Sequence, residues 1–169
     1  RADYVDKLTG DDLDPIFNPK IKVLQEKHGI AKDRPLTMDG LAEQQKAILD
    51  DKLTKKFPVI VAEANGQVVG FGMYSEFRFR EAYKFTVEHS VYVANDYHGK
   101  GIGNLLLAEL ITLAKVQKLH TMIAVIDAEN QGSVSFHEKF GFKTVGIIKE
   151  SGYKFNRWLH SVFMQLILE

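Results

Sequence analysis

The sequence predicts an α/β fold built on a mixed sheet, and three stretches carry that expectation. An apolar run ending in Val91-Tyr92-Val93 feeds a glycine-rich turn, Asn95-Asp-Tyr-His-Gly-Lys-Gly-Ile-Gly103, and then a helical run from Asn104 to Lys118. A second β-branched run, Thr121–Ile126, leads through the polar Asp127-Ala-Glu-Asn-Gln-Gly into another helical stretch. Two apolar segments, Val59–Glu63 and Gln67–Phe71, flank Asn65-Gly66, the strongest two-residue hairpin signal.

Each element has its own local reason. Tyr4–Leu8 reads as a first strand, and Asp11-Asp12 can cap a helix running toward His28. Thr37 or Asp39 can cap a second helix through Leu53. After the Asn-Gly hairpin, Phe85–Val93 is a further strand. Its alternation puts Phe85, Val87, His89, Val91 and Val93 on one face and Thr86, Glu88, Ser90 and Tyr92 on the other. Leu106, Leu107, Leu110, Leu113 and Ala114 give the next helix its buried stripe. Gly141 behind Phe140 reads as a left-handed helix cap, with Phe142 packing back on the last turn. Thr144–Lys149 and Ser161–Leu168 close the sheet, giving the order β-α-α-β-β-β-α-β-α-β-β. With no repeat, low-complexity tract or Pro/Gly linker, residues 1–169 read as a single domain.

Composition narrows the function classes. Lysine plus arginine equals aspartate plus glutamate at 22 each, without a basic block, which argues against nucleic acid as a partner. No apolar run reaches the roughly 18 residues of a membrane span, and the opening Arg1-Ala-Asp-Tyr does not read as a signal peptide. Zero cysteines exclude disulfides and a thiolate metal site, and point to a cytoplasmic protein. They also exclude an acyl-cysteine intermediate. His28, His89, His120 and His160 have no metal-ligand spacing and read as ordinary core-edge or surface residues, so no metal is expected.

The glycine turn is an anion site in outline. A helix N-terminus presents unpaired N–H groups and positive partial charge, and glycines let a phosphate approach the backbone closely. His98-Gly-Lys-Gly-Ile-Gly103 lacks both the Walker lysine-serine/threonine ending and the ribose-binding acid of a dinucleotide fold about twenty residues on. Glu88, a carboxylate in mid-strand, reads either as a solvated or ion-paired strand residue or as a general base. Placed beside a cofactor loop, the second reading gains: a buried carboxylate can take the proton from an amine that is charged near pH 7.

The turn resembles the pyrophosphate loop of the GNAT superfamily of N-acetyltransferases, Gln/Arg-x-x-Gly-x-Gly/Ala, with Gly101 and Gly103 on the glycine positions and His98 departing from the pattern. Asn130, Ser133, Gly141 and Phe142 match the superfamily's Asn-x-x-small…Gly-Phe block, with His137 in place of its tyrosine. The resemblance implies a mostly antiparallel central sheet flanked by helices on both faces, and acetyl-coenzyme A as co-substrate. Cofactor contacts are then expected at Val91, Tyr92, Val93, His98, Gly99, Lys100, Gly101, Ile102, Gly103, Asn130 and Ser133. Catalysis is expected from Glu88 as base and from His137, which either protonates the departing thiolate or only orients the thioester.

Phe77–Val93 further resembles the phosphinothricin N-acetyltransferases, matching at Arg80, Ala82, Tyr83, Thr86, Glu88, His89, Ser90 and Val91-Tyr-Val93. Gly152-Tyr-Lys-Phe-Asn-Arg-Trp158 with Phe163-Met-Gln165, and the pair His137-Glu138, resemble the same family. That implies a small amine acceptor carrying a carboxylate and an oxidised phosphorus or sulfur: phosphinothricin, methionine sulfoximine or methionine sulfone. It also implies a homodimer. Arg78 and Arg80 suit such an acceptor because guanidinium forks pair with carboxylate, phosphinate and sulfone oxygens, and Phe77 and Tyr83 can wall its aliphatic part. Glu26–Pro35 and His160 depart from the family pattern, so another amine acceptor (a polyamine, amino acid or peptide), a non-catalytic acetyl-coenzyme A sensor and a generic nucleotide-phosphate binder stay open.

Overall fold

The computed structural model describes residues 20–23 and 57–169. Among these the order is β1 (Lys20–Val23), β2 (Val59–Ala64), β3 (Gln67–Glu76), β4 (Thr86–Val93), α1 (Ile102–Val116), β5 (Thr121–Asp127), α2 (Gln131–Lys139), β6 (Lys143–Lys154) and β7 (Arg157–Ile167). Short 3₁₀ turns at Glu81–Tyr83 and Asn95–Tyr97 precede β4 and α1. The expected strand at Tyr4–Leu8 and the second helix through Leu53 lie outside the described residues. Lys20–Val23 corrects the first predicted helix: it is a strand, paired antiparallel with β2. The reason is local, since Lys-Ile-Lys-Val alternates with the two-residue period of a strand and places β-branched Ile21 and Val23 at its alternate positions.

The described residues fall into two compact units, one running through Ser75 and continuing over Ser90–Leu113, the other Glu76–His89 with Ala114–Glu169. In the first, β1, β2 and β3 pair antiparallel. The hairpin turn is made as predicted: Asn65 and Gly66 both have positive φ, 51° and 76°, the conformation a tight right-twisted hairpin requires. Val59, Val61, Phe71 and Met73 form a buried cluster on this pair of strands. A bulge across Ala62/Glu63 leaves Val69 as the extra residue of β3, and its carbonyl accepts the N–H of Ala94 at 2.9 Å, just beyond β4.

Helix α1 is buried more widely than a single stripe. Ile102, Leu105, Leu106, Leu107, Ala108, Leu110, Ile111 and Ala114 are all buried, while Leu113 is only partly so. It lies close on β3 because two glycines leave room. A Cβ at Gly72 would stand 3.1 Å from Leu110. One at Gly70 would stand 2.9 Å from the Tyr92 carbonyl and 3.2 Å from both Ile102 and Leu106.

In the second unit β4 pairs parallel with β5 over Thr86–Glu88 against Thr121–Ile123. β7 pairs antiparallel with β5, and β6 antiparallel with β7. Met122, Ala124, Val162 and Met164 supply buried side chains on β5 and β7. The mixed, mostly antiparallel sheet expected from the sequence is therefore present, the parallel pairing of β4 with β5 joining the strands that precede α1 and α2. The last two strands outrun their predicted bounds and form a long hairpin turning at Phe155 and Asn156, both with positive φ.

Gly70 tests this arrangement. Gly70→Ala should cost about 1–3 kcal/mol, as overpacking against backbone does, read as a lower urea midpoint at unchanged slope.

Candidate functional site

Strand β4 carries the first group of candidate residues, and its alternation decides where they go. Val87 and His89 are buried, while Thr86, Glu88 and Ser90 are partly buried on the other face. Glu88 thus sits mid-strand with some access, as a proton-transfer group requires. Further along β4, Tyr92 stacks on Phe71 with centroids 4.8 Å apart, fixing the strand's far end.

The glycine turn follows directly. Gly99 and Gly101 have φ of 75°, which only glycine adopts without strain, and Gly101 offers its carbonyl to the N–H of Leu105 in the first helical bond of α1. Ile102 and Gly103 lie in the first turn of α1, where N–H groups face out of the helix end. Nothing stands within 4 Å of a Cβ built on Gly99, so the turn is open to close approach. His98 is used differently from a simple phosphate ligand. Its Nε2 donates to the Val93 carbonyl at 2.8 Å and ties the turn to the end of β4. Lys100 lies over the Tyr97 ring at 4.8 Å.

Helix α2 collects the second group. Asn130 is its N-cap, its side-chain oxygen accepting from the Ser133 N–H at 3.0 Å. Ser133 in turn offers its carbonyl to Nδ1 of His137 at 2.6 Å. A carbonyl only accepts, so Nδ1 carries the proton and Nε2 the lone pair of the neutral ring. Burial holds the His137 imidazole below the ordinary histidine range, outweighing the hydrogen bond to Ser133, which acts the other way. Gly141, at φ 86°, ends the helix as predicted, and Phe142 is buried beneath it.

Where His137 points was not legible in the sequence. Its ring lies 5.1 Å from that of His89 and 5.3 Å from that of Phe142. His89 and Glu88 are neighbours on a strand and face opposite ways. The two expected catalytic side chains therefore lie on opposite faces of β4, and the structure joins His137 to His89 instead. His89 is no core-edge residue: it is buried, with no hydrogen-bond partner for either ring nitrogen, and burial, then His137, pushes its pKa down to about 3. Its place beside Val87 on the apolar face was the available signal.

The candidate acceptor residues lie on the loop between β3 and β4, pinned at its base by Phe77 N–H to Thr86 carbonyl. Phe77 and Tyr83 pack edge to face at 6.1 Å. The Arg78 guanidinium covers the Phe77 ring at 4.5 Å and that of Arg80 lies 5.9 Å from Phe79. Both arginines are exposed, and among the described residues neither is in an ion pair with a carboxylate. The four expected residues thus gather on one short loop. His160, where the resembled family has aspartate, accepts the Glu150 N–H through Nδ1 at 2.9 Å, a role a carboxylate could also fill. The described residues contain no cluster able to hold a metal and no helix long and apolar enough to cross a membrane.

Known proteins place this geometry. The chain is 43% identical over 130 residues to an L-methionine sulfoximine/L-methionine sulfone acetyltransferase of Pseudomonas aeruginosa, covering 76% of this chain and 75% of that one. Among solved structures, a GNAT superfamily phosphinothricin acetyltransferase from Sinorhizobium meliloti in complex with acetyl-coenzyme A aligns with a TM-score of 0.69 at 38% identity. That match covers 75% of this chain and 70% of the other. A ribosomal-protein-alanine N-acetyltransferase from Brucella melitensis aligns with a TM-score of 0.72 at 46% identity, covering 75% and 78%. Residues 26–142 match the acetyltransferase (GNAT) family, and the chain, with its glycine turn opening α1 and its Asn130-capped α2, belongs to that family.

Proposed function

We propose that this N-acetyltransferase moves acetyl from acetyl-coenzyme A to the amine of a small amino acid of the methionine sulfone, methionine sulfoximine or phosphinothricin type. The observation that carries the cofactor half is the open turn with left-handed Gly99 and Gly101 at the start of α1, a place where phosphate can meet backbone N–H groups. Its residues fit the group: Gly99 to Gly103 with Lys100 would hold the pyrophosphate, His98 brace the turn, and Val91–Val93 run alongside. When bound, the cofactor supplies the acetyl thioester.

The chain's own contribution is proton handling and orientation. Glu88 takes the ammonium proton of the acceptor, directly or through a water, and frees the nitrogen lone pair for attack. The sequence has no cysteine, so no acyl-cysteine forms and acceptor nitrogen attacks directly. His137 does not serve as the acid. Held neutral, with its one N–H donated from Nδ1 to the Ser133 carbonyl, it has no further proton to give; it orients the first turns of α2, where Asn130 and Ser133 lie.

Acceptor choice rests on the β3–β4 loop. Arg78 and Arg80 offer guanidinium forks to an acidic acceptor, while Phe77 and Tyr83 wall its chain. The name of the Pseudomonas relative supports this reading. That of the Brucella neighbour favours a second, a peptide beginning with alanine, and direct competition between methionine sulfone and such a peptide separates them.

The enzyme works as a homodimer. Along β6, the hairpin turn and the start of β7, Val145, Ile147, Ile148, Tyr153, Phe155 and Trp158 are all more than half exposed, an apolar surface of the kind that marks an interface. The cysteine-free sequence suits the reducing cytoplasm.

Three measurements test these assignments. Glu88→Gln should lower turnover about a hundredfold or more while leaving both KM values near those of the parent. The deficit should shrink as pH approaches the amine's own pKa; a loss constant into alkaline solution would make Glu88 structural. Arg80→Lys should raise the acceptor KM about thirtyfold, the loss of one charge-assisted contact, and leave that for acetyl-coenzyme A unchanged. Sedimentation should give a dimer for the parent and a monomer for Ile147→Asp combined with Trp158→Asp.

A further inference from the structure

His89 is a buried polar side chain that the reaction above does not use. It lies on β4 with only 6% of its surface accessible, and neither ring nitrogen has a partner. A neutral imidazole has one N–H donor and one lone pair. Leaving a buried donor or acceptor unpaired costs about 1–3 kcal/mol each, so such a residue is retained only if something in reach satisfies it.

Among the described residues, the rings beside His89 are those of His137 at 5.1 Å and Phe142 at 5.4 Å. Phe142 offers no acceptor. His137 does: its Nδ1 proton is committed to the Ser133 carbonyl, so its Nε2 presents a lone pair. Two imidazoles joined edge to edge by an N–H···N bond of about 3 Å, each nitrogen about 1.1 Å from its ring centre, have centroids about 5 Å apart. The observed spacing is that of the bonded pair.

We propose that His89 is a positioning residue whose ring N–H donates to Nε2 of His137, forming a buried chain from β4 through His137 to the Ser133 carbonyl. The chain fixes three things at once. It holds His137 in the Nδ1–H tautomer, occupies the lone pair that would otherwise take a proton, and ties the first turns of α2 to the strand that carries Glu88 on its other face. Its functional consequence rests on the reading of Asn130 and Ser133 as cofactor contacts. If they hold the cofactor, loosening His137 loosens them.

The bond is read in the cofactor-free protein with ¹⁵N-labelled histidine. The parent should give a through-bond coupling between a His89 nitrogen and Nε2 of His137, with Nε2 shifted from the position of a free acceptor. In His89→Phe the coupling disappears and Nε2 moves to the free-acceptor position. In calorimetric titration His89→Phe should bind acetyl-coenzyme A about tenfold more weakly, the worth of one buried hydrogen bond. His89→Gln, whose amide N–H can reach Nε2, should recover most of that. A free-acceptor signal for His137 Nε2 in the parent overturns the bond, and unchanged affinity in folded His89→Phe overturns the positioning role. If His89→Phe does not fold, the parent spectrum and the affinity of His89→Gln decide instead. A parent that bound no acetyl-coenzyme A would defeat the cofactor assignment, while the ring coupling would still decide the bond.

Discussion

The two-residue period of β4 is the constraint on which the rest of the site depends. Because adjacent side chains leave a strand in opposite directions, Glu88 and His89 cannot serve the same space. One face keeps a carboxylate with partial access; the other buries an imidazole against His137 and Phe142. A slip of one residue would exchange them, burying the carboxylate among aromatic rings and exposing the histidine. The pairing of Thr86–Glu88 with Thr121–Ile123 fixes the register where that choice is made.

Small residues then set how closely the neighbouring elements approach. Gly70 admits the Tyr92 carbonyl and the first turns of α1, and the Val69 bulge beside it holds the N–H of Ala94. The backbone is thus pinned at the end of β4, immediately before the glycine turn. His98 adds a side-chain tie to Val93. The glycine turn is preorganised by these contacts: flanking residues hold it, and its glycines supply the conformation.

Local chemistry was readable wherever one residue's backbone requirement dominated. Asn65-Gly66 and Gly141 carry positive φ where the sequence demanded it, and Asn130 caps α2. The strands and helices of residues 57–169 lie where periodicity puts them, apart from the greater length of β3 and of the final hairpin. The β1 segment fails the same reasoning because an Asp-Asp cap reports where a helix can begin and says nothing of a later Lys-Ile-Lys-Val alternation. What the sequence could not convey was tertiary: that His137 turns toward His89, and that its proton goes to its own helix backbone. Both depend on how α2 lies against β4, which no local pattern encodes. Motif position gave the residue, and geometry gave its partners, the Ser133 carbonyl and the His89 ring.

The same limit explains Glu129 and Arg157, which no spacing argument could pair. They are 28 residues apart in sequence and meet as a two-bond fork at 2.6 and 2.7 Å. Both side chains are exposed, so the pair adds little to stability. Its value is directional. A guanidinium bonded through two nitrogens to both carboxylate oxygens fixes angle as well as distance. It therefore sets the loop residue next to Asn130 relative to the first residue of β7. A second tie, from Ala128 N–H to the His160 carbonyl, joins the same loop and the same strand. The α2 cap is thus held from outside by β7 and from inside by the buried rings beneath Ser133. A helix only nine residues long has few internal bonds to hold its own first turn, so these outside constraints, more than helix propensity, fix where Asn130 and Ser133 stand.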